Sequence, residues 1–87
     1  MRQLVFGRRF RGAAKKLEKK VRVQLKASLD ILKEDPFSPG LHTKPLTGKL
    51  SRYYSFRLGR EYRVIFRLIS SDEILLADVG HRKDIYR

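Results

Sequence analysis

The run Tyr53-Tyr54-Ser55-Phe56-Arg57-Leu58, Gly59-Arg60-Glu61, Tyr62-Arg63-Val64-Ile65-Phe66-Arg67-Leu68-Ile69, Ser70-Ser71-Asp72, Glu73-Ile74-Leu75-Leu76-Ala77-Asp78-Val79 decides the fold. Three segments rich in aromatic and β-branched residues are separated by two short links of glycine, serine and charged residues. Strands joined by links this short must turn straight back on themselves, so the segment reads as two consecutive antiparallel hairpins. Side chains alternate across a strand. Tyr53, Ser55 and Arg57 therefore share one face, opposite Tyr54, Phe56 and Leu58. On the next strand Arg63 and Arg67 lie opposite Val64, Phe66 and Leu68. Arg57, Arg63 and Arg67 are expected on one basic surface.

Working back toward the N-terminus, Asp35-Pro36-Phe37-Ser38-Pro39-Gly40 is a breaker, because the residue before a proline is pushed out of the helical region. A loop follows through His42, Thr43, Lys44, Pro45, Leu46, Thr47 and Gly48. Before the breaker, Phe10, Ala13, Ala14, Leu17, Val21, Leu25, Leu29 and Leu32 recur every three or four residues, a helical period. One helix of roughly 26 residues would span ~39 Å, too long for this domain. Two helices packed as a hairpin are expected, with a break near Lys19-Lys20. Residues Arg2 to Gly7 read as a short strand with Leu4 and Phe6 on one face. The order strand, two helices, three-stranded meander implies an α+β fold with the helices on one sheet face and the other face free to be polar.

A chain of 87 residues has room for a single domain, 1–87, and one modest core. Hydrophobic residues at 41% with charged residues at 34% favour a folded domain over a disordered one. The absence of cysteine removes disulfides, thiolate metal sites and a cysteine nucleophile. His42 and His81 with scattered carboxylates do not make a metal-ligand spacing, so no metal or other cofactor is expected. There is no Gly-rich phosphate loop and no nucleophile elbow. No apolar run approaches ~18 residues and the N-terminus lacks a signal-like apolar core, so no membrane association and a cytoplasmic location are expected.

The net charge of +12 says most about partners. Residues 2–26 hold ten basic residues against Glu18, and residues 44–67 hold seven against Glu61. Two such blocks attract polyanions: RNA, a ribosome or an acidic protein.

Lys44-Pro45-Leu46-Thr47-Gly48, Tyr54-Ser55-Phe56-Arg57-Leu58-Gly59, Tyr62-Arg63-Val64-Ile65-Phe66 and Val79-Gly80-His81-Arg82-Lys83-Asp84-Ile85-Tyr86 together resemble the RelE/ParE superfamily of toxins. The similarity in length and element order covers nearly the whole chain. It implies a small RelE-like domain and a toxin paired with a small acidic antitoxin that wraps around it. RelE-like members are ribosome-dependent endoribonucleases that cut mRNA; ParE-like members share the fold and poison DNA gyrase. The resemblance thus implies an mRNA interferase that inhibits translation, with the ribosome and mRNA as further partners. Gyrase inhibition is the alternative and a non-catalytic RNA-binding module the third reading.

RNA cleavage without a metal needs a base for the ribose 2′-hydroxyl, cations for the phosphate and an acid for the leaving 5′-oxygen. Arg63 stands where the family carries its strand arginine, and its guanidinium fork suits phosphate oxygens. Arg57 matches a position that is basic or imidazole in RelE-like nucleases. His81 stands where some nuclease members carry histidine, and an imidazole gives or takes a proton near neutral pH. Tyr86 would stack on a base or orient the phosphate. Lys44, Lys49, Arg52, Arg67 and Arg82 are further candidate RNA contacts. Bland readings stand beside these. Arg63 would bridge to backbone or a carboxylate, His81 would be a surface or capping residue, and Tyr86 would anchor the tail. The chain also departs from the family. Lys44 replaces the Glu or His that serves some members as base, and Ser55 replaces a lysine. The base is left open between Glu61 and His42.

Overall fold

The computed structural model describes residues 2–86. Strand β1 spans Gln3–Phe6, helix α1 Arg8–Lys15, helix α2 Lys19–Glu34, and strands β2 to β5 span Lys44–Pro45, Tyr54–Leu58, Tyr62–Leu68 and Glu73–His81. The five strands lie in the order β1-β5-β4-β3-β2, with β1 parallel to β5 and every other pair antiparallel. This is the expected α+β arrangement, with one strand added. Lys44–Pro45, expected as loop, pairs with Ser55 and Tyr54 at the sheet edge. An edge tolerates proline because one side of the strand needs no donor.

The apolar positions spaced for a helix form the core together with one sheet face. Phe10, Leu17, Val21, Leu25 and Leu32 pack with Phe56, Leu58, Val64, Phe66, Ile74, Leu76 and Val79. The helix break falls at Lys16–Glu18, a few residues before Lys19-Lys20. Leu17 is buried there, the Lys16 N–H still bonds to the Ala13 carbonyl and the Leu17 N–H to the Ala14 carbonyl, and Glu18 turns extended with ψ 152°. Tertiary burial of Leu17 sets the kink, which neither glycine nor proline marks.

Two features of the sheet position the site. Gly59 begins the β3–β4 turn with φ +65°, a conformation glycine adopts without the clash of a Cβ. On β5, Ile65 of β4 faces Asp78 while Phe66 faces Leu76, so Ala77 is an extra, bulged residue. The bulge shifts the alternation by one. Ile74, Leu76 and then Val79 are buried against the helices, while Asp78 and Gly80 turn to the opposite face.

That opposite face is less polar than expected. Ser55 and Ile65 are buried on it. Leu50, Tyr53, Ile65 and Ile85 line a cavity of about 190 Å³ there, with the tail folded back so that the Ile85 N–H bonds to the His81 carbonyl at 3.0 Å. The tail thus supplies apolar cover that strand alternation does not reveal.

Gly7 joins β1 to α1 and donates to the Leu76 carbonyl at 3.0 Å. A Cβ on Gly7 would lie 2.8 Å from that same oxygen, which is backbone and cannot swing away. Gly7→Ala is therefore expected to lower stability by about 1–3 kcal/mol through a forced backbone shift. Urea unfolding checks this; an unchanged midpoint would mean that the junction is looser than the contact implies.

Candidate functional site

The arginines converge where β3, β4 and the tail meet. Arg57 and Arg63 are direct cross-strand partners, and Gly80 pairs with Arg63 on the other side. Like charges directly opposite in a sheet repel. Arg57, Arg60, Arg63 and Arg82, with Gly59 and Glu61, line a cleft of about 320 Å³. Four arginines therefore line one small volume with a single acidic residue. Arg63 is held by its own strand end, Nη1 donating to the carbonyls of Tyr62 at 2.8 Å and Arg60 at 3.2 Å. These bonds use one guanidinium nitrogen, so the anchored group keeps other donors for an anion. The bland reading of Arg63 as a backbone bridge is thus part of its geometry, and it orients the fork.

The Glu61 carboxylate forms the rim. Its Oε2 lies 3.1 Å from His81 Nε2 and 4.0 Å from Arg82 Nε. Its backbone carbonyl accepts the Arg82 N–H at 2.7 Å, which ties the tail to the β3–β4 turn. Lys83 N–H donates to His81 Nδ1 at 3.1 Å. A neutral His81 accepting at Nδ1 must carry its proton on Nε2, directed at Glu61.

His81 does not share the face of Arg63. Its ladder partner is Tyr62, and their rings meet edge to face at 5.7 Å. Had β5 run without the bulge, His81 would have fallen on the arginine side. As it is, His81 meets the cleft through Glu61. The apolar pattern Ile74, Leu76, Val79 carries the signal for that parity change.

The other expected residues are more widely distributed. Lys44 pairs with Ser55, two residues from Arg57 on β3. With Pro45, Leu46, Thr47 and Leu50 it lines a groove of about 330 Å³ that Tyr86 closes. Tyr86 is 42% exposed, while the neighbouring Ile85 is buried. The tail is thus anchored by the isoleucine, which leaves the phenol at the surface. Lys49 and Arg52 lie exposed in the β2–β3 connection and do not line the arginine cleft. Arg67 lies four residues along β4 from Arg63, opposite Leu75, and is also outside the cleft. The structure therefore joins Arg57, Arg63 and Arg82, joins Lys44 with Tyr86, and leaves Arg67, Lys49 and Arg52 apart. Arg60, in the turn, is a cleft residue that the strand pattern did not single out. Of the two candidate bases, Glu61 lines the cleft. His42, in a left-handed conformation after the 3₁₀ turn Pro39–Leu41, does not.

No helix among the described residues is long and apolar enough to cross a membrane. A comparison with curated proteins finds no match. Among solved structures, the chain is similar to YafQ from E. coli strain BL21(DE3), at 15% identity and TM-score 0.83, with all of both chains covered. It is similar to a chain of the toxin-antitoxin complex RelBE2 from Mycobacterium tuberculosis, at 22% identity and TM-score 0.78, covering 93% of this chain and 98% of that one. A chain of the RelB-RelE antitoxin-toxin complex from Methanococcus jannaschii matches at 25% identity and TM-score 0.75, covering 94% of each. These likenesses establish the fold. The family described as the ParE toxin of the type II toxin-antitoxin system, parDE, matches residues 4–86. The chain belongs to that family, and so to the RelE/ParE superfamily of type II toxins.

Proposed function

We propose that this toxin is a ribosome-dependent endoribonuclease that cleaves mRNA by metal-independent attack of a ribose 2′-hydroxyl on the adjacent phosphate. The observation that carries this reading is the cleft in which Arg57, Arg60, Arg63 and Arg82 face one volume beside the Glu61–His81 pair. Four arginines lining one small volume, with Arg63 anchored among them, suit a phosphate whose negative charge grows as the fifth oxygen arrives. In this scheme Glu61 accepts the 2′-hydroxyl proton, and the new bond from the 2′-oxygen to phosphorus expels the 5′-oxygen. Protonated His81 gives its Nε2 proton to that leaving oxygen. The products are a 2′,3′-cyclic phosphate and a 5′-hydroxyl end. Lys44 and Tyr86 hold the neighbouring nucleotide. The relatives solved with antitoxins support pairing with a small acidic antitoxin, for which a chain of +12 charge is well matched.

A second reading, inhibition of DNA gyrase, is favoured by the description of the matching family as ParE toxin. Expression in cells separates the two. Cleavage of mRNA within translated codons is expected; DNA breaks with an induced damage response and intact mRNA would establish the gyrase reading instead. Passive RNA binding would give neither.

The charge makes a further prediction. Ribosome affinity should fall steeply with salt, each single-stranded phosphate neutralised adding about −0.7 to the slope of log K against log salt. A flat titration would show that the basic surface serves another partner.

A further inference from the structure

We propose that the outer face of α2 binds the same face of a second copy of this chain, with the two helices antiparallel. Val23, Ala27 and Ile31 follow one another at four-residue spacing and so run along one side of the helix. Val23 is 64% exposed and Ile31 43%, and Ala27 is exposed between them. Single exposed apolar residues are ordinary. Three in line are not, least of all with two β-branched residues that weaken an exposed helix. The core face of α2, carrying Val21, Leu25 and Leu32, points elsewhere.

The charges along this stripe identify what covers it. Lys20 lies three residues before Val23 and Lys26 three after it, whereas Asp30 and Glu34 lie three residues after Ala27 and Ile31. The stripe is basic at its N-terminal end and acidic at its C-terminal end. That order opposes the helix macrodipole, and the first turn of α2 contains no acid, so it does not serve the helix itself. Nor is it neutralised at home. The ion pairs among the described residues are Arg9–Asp78, His81–Glu61 and Arg82–Glu61, none of them on α2. RNA or a uniformly acidic helix would meet Asp30 and Glu34. A helix with the same charges running the opposite way fits both ends, and a two-fold axis supplies it.

With the axis through Ala27, whose small side chain permits close approach, Val23 packs on the partner's Ile31. Lys20 then meets the partner's Glu34, and Lys26 meets the partner's Asp30. Such a contact is small, and interfaces of this size are transient. The net charge of +12 on each copy adds repulsion that is largely screened beyond ~8 Å at physiological ionic strength.

Sedimentation equilibrium of the free chain at that ionic strength, over a concentration series reaching millimolar, should show a monomer–dimer equilibrium. Ile31→Lys should abolish it with an unchanged circular dichroism spectrum. The decisive arm uses charge reversal. A chain with Lys20→Glu and Lys26→Glu, and another with Asp30→Lys and Glu34→Lys, should each be monomeric alone and should associate when mixed. A monomeric wild type at millimolar concentration, a dimer that survives Ile31→Lys, or reversed chains that fail to associate on mixing would each overturn the proposal.

Discussion

Arg63→Ala is expected to slow mRNA cleavage about 100-fold or more, the scale of losing one preorganised donor to a developing charge. Arg63 is central to the cleft: it faces Arg57 across the ladder, and Tyr62 and Arg60 carbonyls fix its guanidinium. That anchoring is completed on folding, so little reorganisation remains when substrate arrives. The same bonds mean that alanine also leaves the Arg60 and Tyr62 carbonyls without this donor; the fold should survive, as thermal unfolding will show. Arg63→Lys separates charge from geometry, since an ammonium keeps the positive charge and loses the planar fork. It should fall between wild type and alanine. Arg57→Ala should cost less, because Arg57 is exposed and without an anchoring bond among the described residues, and its share passes more readily to Arg60 and Arg82. An unchanged single-turnover rate for Arg63→Ala on a programmed ribosome would remove Arg63 from the reaction.

His81→Gln should preserve ribosome binding and slow the chemical step, with the second-largest loss after Arg63. General acid–base catalysis contributes typically about 100-fold to 10,000-fold, so a slowing on the order of 100-fold is expected. Glutamine can still donate to Glu61 but cannot deliver a proton to the leaving oxygen. A substrate with a 5′-thio leaving group departs without protonation, so it should recover much of the lost rate. The structure makes this test sharper than sequence alone would. His81 lies on the Tyr62 side of the sheet and touches the cleft through Glu61. A residue that merely held Glu61 in place would show no thio rescue, and glutamine would largely replace it. Absence of rescue would therefore reassign His81 to positioning.

The helical period from Phe10 to Leu32 and the two hairpins after Tyr53 were legible in the chain because each depends on local spacing. The strand arginines were legible for the same reason: β4 alternates without interruption, so Arg63 fell on the face assigned to it. Arg57 and Arg63 reached one face because pairing register follows from the short turn at Gly59. The loop strand Lys44–Pro45 was not legible, since two residues carry no period and only a neighbouring edge makes them a strand.

Elsewhere the tertiary structure decided. Arg67 has the right alternation but lies too far along β4 to reach the cleft, a matter of distance that a face assignment does not contain. Burial of Leu17 moved the helix break. Ile85 and Leu50 covered a sheet face that the helices leave open. The bulge at Ala77 shifted β5 by one residue and turned His81 from the arginines toward Tyr62, so that Glu61 became the link between imidazole and cleft. Composition, charge and period follow from the order of residues and are determined by the sequence itself. Which proton-carrying group meets which cation depends on strand register and on a folded-back tail, and these are settled only when distant segments compete for the same core.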